Sequence, residues 1–274
     1  MFTNIFENVK KMNPLVHNIT NYVTVNDCAN ILLACGSSPI MADDICEVED
    51  ITSICNALVI NIGTLNLRTI ESMIKAGKKA NELEHPVVLD PVGAGASKLR
   101  TDTTFKLLKE LNFTVIRGNM SEIKTISIGS GSTKGVDANI ADSINYDNIE
   151  EAVSFAKDLS NKTGAIIAIT GAIDIVADSK KAYIIQNGHP MMSKISGTGC
   201  MLTSLIGAFC AANPNNLLDA TATAVCAMGL CGELAFEKMN LNDSGTASLK
   251  IYLIDIMGKM DSLMLKASAK IESR

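Results

Sequence analysis

The chain contains no tryptophan, and aromatic residues make up only 4% of it. Nucleic-acid binding by base stacking needs such rings, so that class of partner is not expected. No block of lysine and arginine stands out either. The net charge is −5 and the isoelectric point is about 5.3. The basic footprint that nucleic acid or an anionic membrane would demand is missing. Charge of both signs is scarce, at 19% of residues against about 25% in an average soluble domain. Such a chain buries much of its surface, under helices on both faces of a large sheet or in an oligomer.

The eight cysteines include no CxxC pair and no histidine at ligand spacing, so the spacing rules give no zinc site. Most sit inside apolar runs, as reduced core cysteines do. The N-terminal stretch "MFTNIFENVKKMNP" lacks a continuous apolar segment and a cleavage site, and a signal peptide is not expected. The longest uncharged stretch, Ile195–Leu218, is broken by "NPNN", which makes a poor membrane span. A cytoplasmic protein is the expectation.

What the sequence does have is 47% hydrophobic residues over 274 positions, enough for one large core or two modest ones. No internal repeat, low-complexity segment or linker interrupts it, so residues 1–274 are expected to form one domain. "ALVINIG" (57–63), "PVVLDP" (86–91), "FTVIRGN" (113–119) and "AIIAITG" (165–171) are continuous apolar runs, the pattern of strands covered on both faces. Helical patterns lie between them, at roughly 67–84, 101–111 and 148–160, with Asp102 and Asp147 as candidate caps. This alternation predicts an α/β fold with a central, mostly parallel sheet and helices on both faces. After Gly171 two alternating segments flank a polar turn, predicting a β-hairpin near 173–186. From Gly197 onward the chain reads as helical, at about 198–212, 217–239 and 248–268.

Each of the four apolar runs ends in something a core strand does not need: Gly63, Asp90, Arg117–Gly118–Asn119 and Thr170–Gly171. Ligands of open parallel sheets bind beyond the carboxyl ends of the strands. Turns also use Gly, Asp and Asn, but the four ends together point to a ligand crevice. Asp90, in "DPVGAGAS", could hold a metal ion or polarise a hydroxyl. Arg117 and Glu122, in "IRGNMSEI", supply a fixed cation and an acid. A guanidinium suits phosphate oxygens. Mg²⁺ needs few carboxylates because it keeps several waters, and Glu122 could serve it, directly or through water. Glu122 reads equally well as a solvated residue at a helix start.

"GSGSTKG" (129–135) has its lysine on the wrong side of Ser-Thr for a phosphate-gripping P-loop and does not open a helix as a dinucleotide fingerprint must. It reads as a surface loop. "KISGTGCMLTSLIGAFCAA" (194–212) is more informative. Gly197, Thr198 and Gly199 precede a charge-free helix, whose start leaves backbone N–H groups free and carries about half a positive charge. Glycines let a phosphate approach that backbone closely. Cys200, at the opening, reads either as a small apolar residue of a buried helix or as part of a reaction centre.

"PLVHNITNYVT" (14–24), "SSPIMA" (37–42), "NIGTL" (61–65), "LDPVGAGAS" (89–97), "IRGNMSEI" (116–123), "AITG" (168–171) and "SGTGC" (196–200) occur in that order. Together they closely resemble hydroxyethylthiazole kinase of thiamine biosynthesis, within the ribokinase-like superfamily, from about residue 12 to 250. The resemblance implies phosphorylation of the alcohol of 4-methyl-5-(2-hydroxyethyl)thiazole by ATP with Mg²⁺. It also implies a homotrimer with active sites between subunits. By motif position, Met41 resembles a thiazole contact, and Asn21 and Gly63 should lie on the same substrate side. Arg117 and Thr170 resemble ATP ligands, and Asp90 and Glu122 the metal-organising acids. Gly197 should lie against the substrate as part of an anion hole. Cys200 falls where sugar kinases of the superfamily carry a catalytic aspartate. The segment "SGTASL" (244–249) departs from a "GPGSF"-like loop, Ser196 stands where threonine is frequent, and "MADDICEVED" (41–50) is unusually acidic. A hydroxymethylpyrimidine kinase, an NAD(P)H-hydrate dehydratase of the same fold and a non-catalytic binding protein are the rival readings. The intact acids Asp90 and Glu122 argue against the last. No role is assigned to His17, His85 or His189.

Overall fold

A computed structural model describes residues 2–129 and 144–274. Helix α1 (Phe2–Met12), strand β1 (Leu15–Ile19), helix α2 (Val25–Cys35) and strand β2 (Ser38–Met41) open the chain. Helix α3 (Val48–Ile54), β3 (Ala57–Asn61), α4 (Leu67–Glu82), β4 (Val87–Asp90), α5 (Lys98–Glu110), β5 (Val115–Asn119) and α6 (Met120–Gly129) follow. Then come α7 (Ile149–Thr163), β6 (Ile166–Thr170), β7 (Asp174–Ala177) and β8 (Ala182–Ile185). The chain closes with α8 (Thr198–Ala212), α9 (Leu217–Leu241), α10 (Thr246–Lys259), α11 (Ser262–Ser268) and β9 (Ile271–Ser273).

The described strands form one sheet in the order β2-β1-β3-β4-β5-β6-β7-β8-β9. The pairings from β2 to β6 are parallel and those from β6 to β9 antiparallel. Continuous apolar runs arise because successive side chains feed opposite cores. In β3, Ala57 and Val59 pack on one face, toward α1, α2, α8 and α9, while Leu58 and Ile60 pack on the other, toward α4, α6 and α7. In β6, Ile166 and Ala168 alternate with Ile167 and Ile169 in the same way. The expected central strands are therefore present, as is the hairpin, β7–β8.

Other expectations are corrected. Asp102 is not a cap; it sits inside α5, paired with Lys98 at 2.9 Å. The cap is Ser97, whose hydroxyl accepts the Arg100 N–H at 3.3 Å. Asp147 yields to Asn148 as the residue preceding α7. The helix expected over 248–268 breaks in two, because Asp261 turns its carboxylate to the Met264 N–H at 2.7 Å and starts α11. Helix α9 is long and apolar enough to cross a membrane. Here it is a core helix, packed against α8 and α10 with Ala220–Gly232 buried throughout.

Candidate active site

Parallel strands in register deliver their C-terminal residues to one edge. Asn61 of β3 lies beside Asp90 of β4, and Asn119 of β5 beside Thr170 of β6. Helix α8 starts above this edge. Gly197, the residue before it, has φ +94, a left-handed conformation that favours glycine. The first N–H bonded back into the helix is that of Met201, to the Gly197 carbonyl at 2.8 Å. The N–H groups of Thr198, Gly199 and Cys200 therefore lie in the unpaired first turn, and no acidic residue occupies that turn. Arg117 presses so close that a Cβ on Gly199 would lie 2.5 Å from its Nη1.

A hydrogen-bonded chain joins these ends. Asn61 Nδ2 donates to Asp90 Oδ2 at 2.8 Å and to Cys200 Sγ at 3.3 Å. Asn61 Oδ1 accepts from the Gly63 N–H at 2.9 Å and from Asn21 Nδ2 at 3.0 Å. Asn21 Nδ2 also donates to Cys200 Sγ, at 3.3 Å. The sulfur thus receives two amide N–H groups. Their orientation is fixed, because a flipped Asn61 would set its carbonyl oxygen against the Asp90 carboxylate. Thr203, one turn into α8, donates to Asp90 Oδ2 at 2.9 Å.

Asp90 is fully buried, and its Oδ1 makes no hydrogen bond; the nearest cation is Arg117 Nη1 at 3.5 Å. Burial pushes the Asp90 pKa up, and the neighbouring Glu122 charge adds to that, against Arg117, Thr203 and Asn61. Arg117 is not a free cation. Its Nη2 donates to Thr170 Oγ1 at 2.6 Å, which holds the guanidinium across β5 and β6. Glu122 is not a solvated helix-start residue. Its Oε2 accepts the Asn119 N–H at 2.9 Å while Asn119 Oδ1 accepts the Glu122 N–H at 2.9 Å, a reciprocal cap that opens α6. Its Oε1 accepts the Gly93 N–H at 2.8 Å, tying down the loop after Asp90.

Asn21, Gly63, Asp90, Arg117, Glu122, Thr170 and Cys200 are therefore brought together. A side chain on Gly197 would meet that of Thr24, whose hydroxyl donates to Asn21 Oδ1 at 3.1 Å. Met41 stands apart: it ends β2, two strands from β3, and does not line the cleft beside Arg117. "GSGSTKG" lies outside the described residues apart from Gly129, which ends α6. His17 is a satisfied core histidine, within 2.9 Å of Thr52 Oγ1 and 2.8 Å of the Ala42 carbonyl. Asn61 and Thr203 are the residues that sequence reasoning missed.

A cleft of about 530 Å³ runs from Arg117, Thr170 and Gly199 to Asn187, Pro190 and Met228. Asp174 opens β7 in its wall, and its Oδ1 accepts the Gly171 N–H at 2.8 Å. Burial pushes its pKa up to about 7 from an ordinary 3.8. The folded state then keeps a proton that the unfolded chain releases between those two values, so this group's contribution to stability falls as pH rises through that window. Thermal midpoints measured without nucleotide from mildly acidic to mildly alkaline pH should show Asp174→Asn gaining on the parent as pH rises. A constant difference would refute it.

Comparisons with known proteins place the chain in a family. The model of the hydroxyethylthiazole kinase family matches residues 6–262. The chain belongs to that family. A hydroxyethylthiazole kinase of Clostridium acetobutylicum is 61% identical over 267 residues, covering 97% of each chain. A solved hydroxyethylthiazole kinase structure from Pyrococcus horikoshii is 35% identical, with a TM-score of 0.89 over 100% of this chain and 98% of that one. An ADP/ATP-dependent NAD(P)H-hydrate dehydratase from Bacillus subtilis shares the fold alone, at 13% identity and a TM-score of 0.57, with 91% of this chain and 90% of that one covered. The ribokinase-like fold is thereby present, and the family membership favours the thiazole kinase reading over the dehydratase one.

Mg²⁺ is the metal such a kinase reading implies. Among the described residues, no three acidic, histidine or cysteine side chains gather as a ready metal cage. The donor set nevertheless fits an ion that needs only one or two carboxylates beside water and phosphate. Asp90 Oδ1 is the buried acceptor left without a hydrogen bond, and Glu122 lies near enough for its charge to act on Asp90.

Proposed function

We propose that this chain transfers the terminal phosphoryl group of ATP to the hydroxyl of 4-methyl-5-(2-hydroxyethyl)thiazole, a step of thiamine biosynthesis. The observation that carries the reading is the gathering of Asp90, Arg117 and Cys200 at the open N-terminus of α8. Phosphoryl transfer requires mainly positioning and stabilisation of charge. The first N–H groups of α8 and the Arg117 guanidinium supply that positive field in a largely buried setting, where it acts strongly. Thr170 holds Arg117 in place and, with it, faces ATP. Asp90 and Glu122 would hold Mg²⁺, which neutralises phosphate charge when bound.

Cys200 is half-buried and takes N–H groups from Asn21 and Asn61. It orients the thiazole alcohol and acts at most as a weak base. The alcohol oxygen forms the new bond to phosphorus as the bond to the ADP oxygen breaks, and the proton leaves late. Asn21, Gly63 and Gly197 border the alcohol's side of the centre, and Met41, which stands apart from the cleft within one chain, contacts the thiazole ring in a neighbouring subunit's site. Residues 1–274 act as one domain, in a cytoplasmic homotrimer whose active sites lie between subunits. Tyr22 and Leu67 are each 79% exposed and Val23 59% exposed, close in sequence to Asn21 and Gly63. This apolar surface suits a neighbouring subunit.

The deciding experiment is ADP release from ATP with the thiazole alcohol, the hydroxymethylpyrimidine alcohol or NADH hydrate as the second substrate. The thiazole alcohol should support turnover at least tenfold faster than the others. Faster release with either rival would overturn the assignment.

A further inference from the structure

The cleft beyond Arg117 contains an acid for which phosphoryl transfer has no use. We propose that Asp174 sets nucleotide specificity, its carboxylate accepting a hydrogen bond from the ribose hydroxyls of the phosphoryl donor. The proposal rests on the nucleotide reading of this cleft.

Asp174 spends one oxygen on the Gly171 N–H, and its carboxylate makes no other hydrogen bond among the described residues. It is half-buried in the cleft wall. Its carboxylate lines the open cleft with acceptor capacity to spare, and so can take a donor from a bound ligand. Its location selects which donor. On one side lies the phosphate end: Gly171 follows Thr170, which accepts from Arg117, and the Arg117 charge reaches Asp174. On the other side, Asp174 pairs in register with Ile185 of β8, two residues before Asn187. Beyond Asn187 the wall turns apolar with Pro190, Val225 and Met228, surfaces suited to a flat base. The acids proposed to hold Mg²⁺ at the phosphates are Asp90 and Glu122; Asp174 is not one of them, and without an ion beside it a carboxylate repels phosphate. The part of a nucleotide between its phosphates and its base is the sugar, which there offers two hydroxyl donors.

The test compares ATP with 2′,3′-dideoxy-ATP, in the parent protein and in Asp174→Ala, at mildly alkaline pH. A hydrogen bond to a charged group is worth roughly 10- to 100-fold. The parent should prefer ATP by that factor in kcat/KM, and Asp174→Ala should prefer it by no more than about threefold. The loss should appear in the KM for nucleotide and leave the KM for the alcohol in place. Asp174→Asn, which retains a carbonyl for Gly171, is the second variant and should show an intermediate preference. A parent protein indifferent to the sugar hydroxyls would overturn the proposal without any variant. So would a preference that stays undiminished in both variants, or one that follows the base amine when inosine triphosphate replaces ATP. Absence of ADP release from ATP with any alcohol would instead count against the kinase reading itself.

Discussion

Asp90→Asn should lower kcat by about 10²- to 10³-fold, the range seen when one preorganised electrostatic contact to a transition state is removed. The reason lies in which atoms the change affects. Asp90 Oδ2 accepts from both Asn61 and Thr203. An amide here must put its carbonyl oxygen on that side, because its NH₂ group would face two donors. The NH₂ group then points at Arg117, whose Nη1 now lies 3.5 Å from Oδ1. A buried guanidinium is left facing a donor instead of an anion, and one of the two acids proposed to hold Mg²⁺ is gone. Breaking one side of a buried pair typically costs about 3–5 kcal/mol. The raised pKa of Asp90 means that part of its charge is already disfavoured by burial, so the loss in stability should fall below that range. The expected pattern is a large drop in turnover, a weakened response to Mg²⁺ and a thermal midpoint lowered by a few degrees. Turnover within threefold of the parent would remove Asp90 from the site.

The centre of this fold is legible in the sequence and its flanks are not, for a physical reason. Strands β3 to β6 are buried on both faces, so their apolar residues run without a break. Strand β1 is equally buried, but His17 and Asn18 interrupt its pattern. They are tolerated because Thr52, the Ala42 carbonyl and Ser204 satisfy them, partners that only the fold supplies. Strand β2 carries Pro39 at an edge of the sheet, the place where proline is allowed and where a strand pattern is weakest. Among the described residues the short β9 pairs only with β8, and it leaves no periodic trace.

The site divides along the same line. Asp90, Arg117 and Thr170 announce themselves as polar residues ending apolar runs. Asn61 does so too, at the end of "ALVIN", but asparagine after a strand also reads as turn chemistry. Its role appears only when β3 and β4 are in register and α8 descends on them. Thr203 is hidden inside a charge-free helix, where a threonine ordinarily bonds its own backbone four residues back. Here its single hydroxyl hydrogen is shared between the Gly199 carbonyl at 3.1 Å and Asp90 Oδ2 at 2.9 Å. Met41 shows the limit from the other direction. Its motif is recognisable, yet within one chain it stays away from the cleft.

Cys200→Ala should reduce kcat by about 10²-fold, the lower end of what losing a general base or acid costs, and Cys200→Ser shows what the sulfur does. In the alanine variant the amides of Asn21 and Asn61, only 4% and 2% exposed, each lose an acceptor. Leaving buried donors unpaired costs about 1–3 kcal/mol each, so stability should fall along with activity. A serine hydroxyl restores an acceptor for both amides and should recover most of the thermal midpoint. It is a far weaker acid than a thiol. If Cys200 takes the proton of the thiazole alcohol, serine recovers stability without recovering kcat. If Cys200 only holds that alcohol in line, serine recovers both. Asn61→Ala separates these further, since it removes one donor from the sulfur and one from Asp90 at once. Combined with Cys200→Ala it should cost less than the sum of the two single losses, as for residues acting through one network. Additive losses would mean that the Asn61 amide serves Asp90 alone, and a Cys200→Ala kcat within twofold of the parent would return the cysteine to packing.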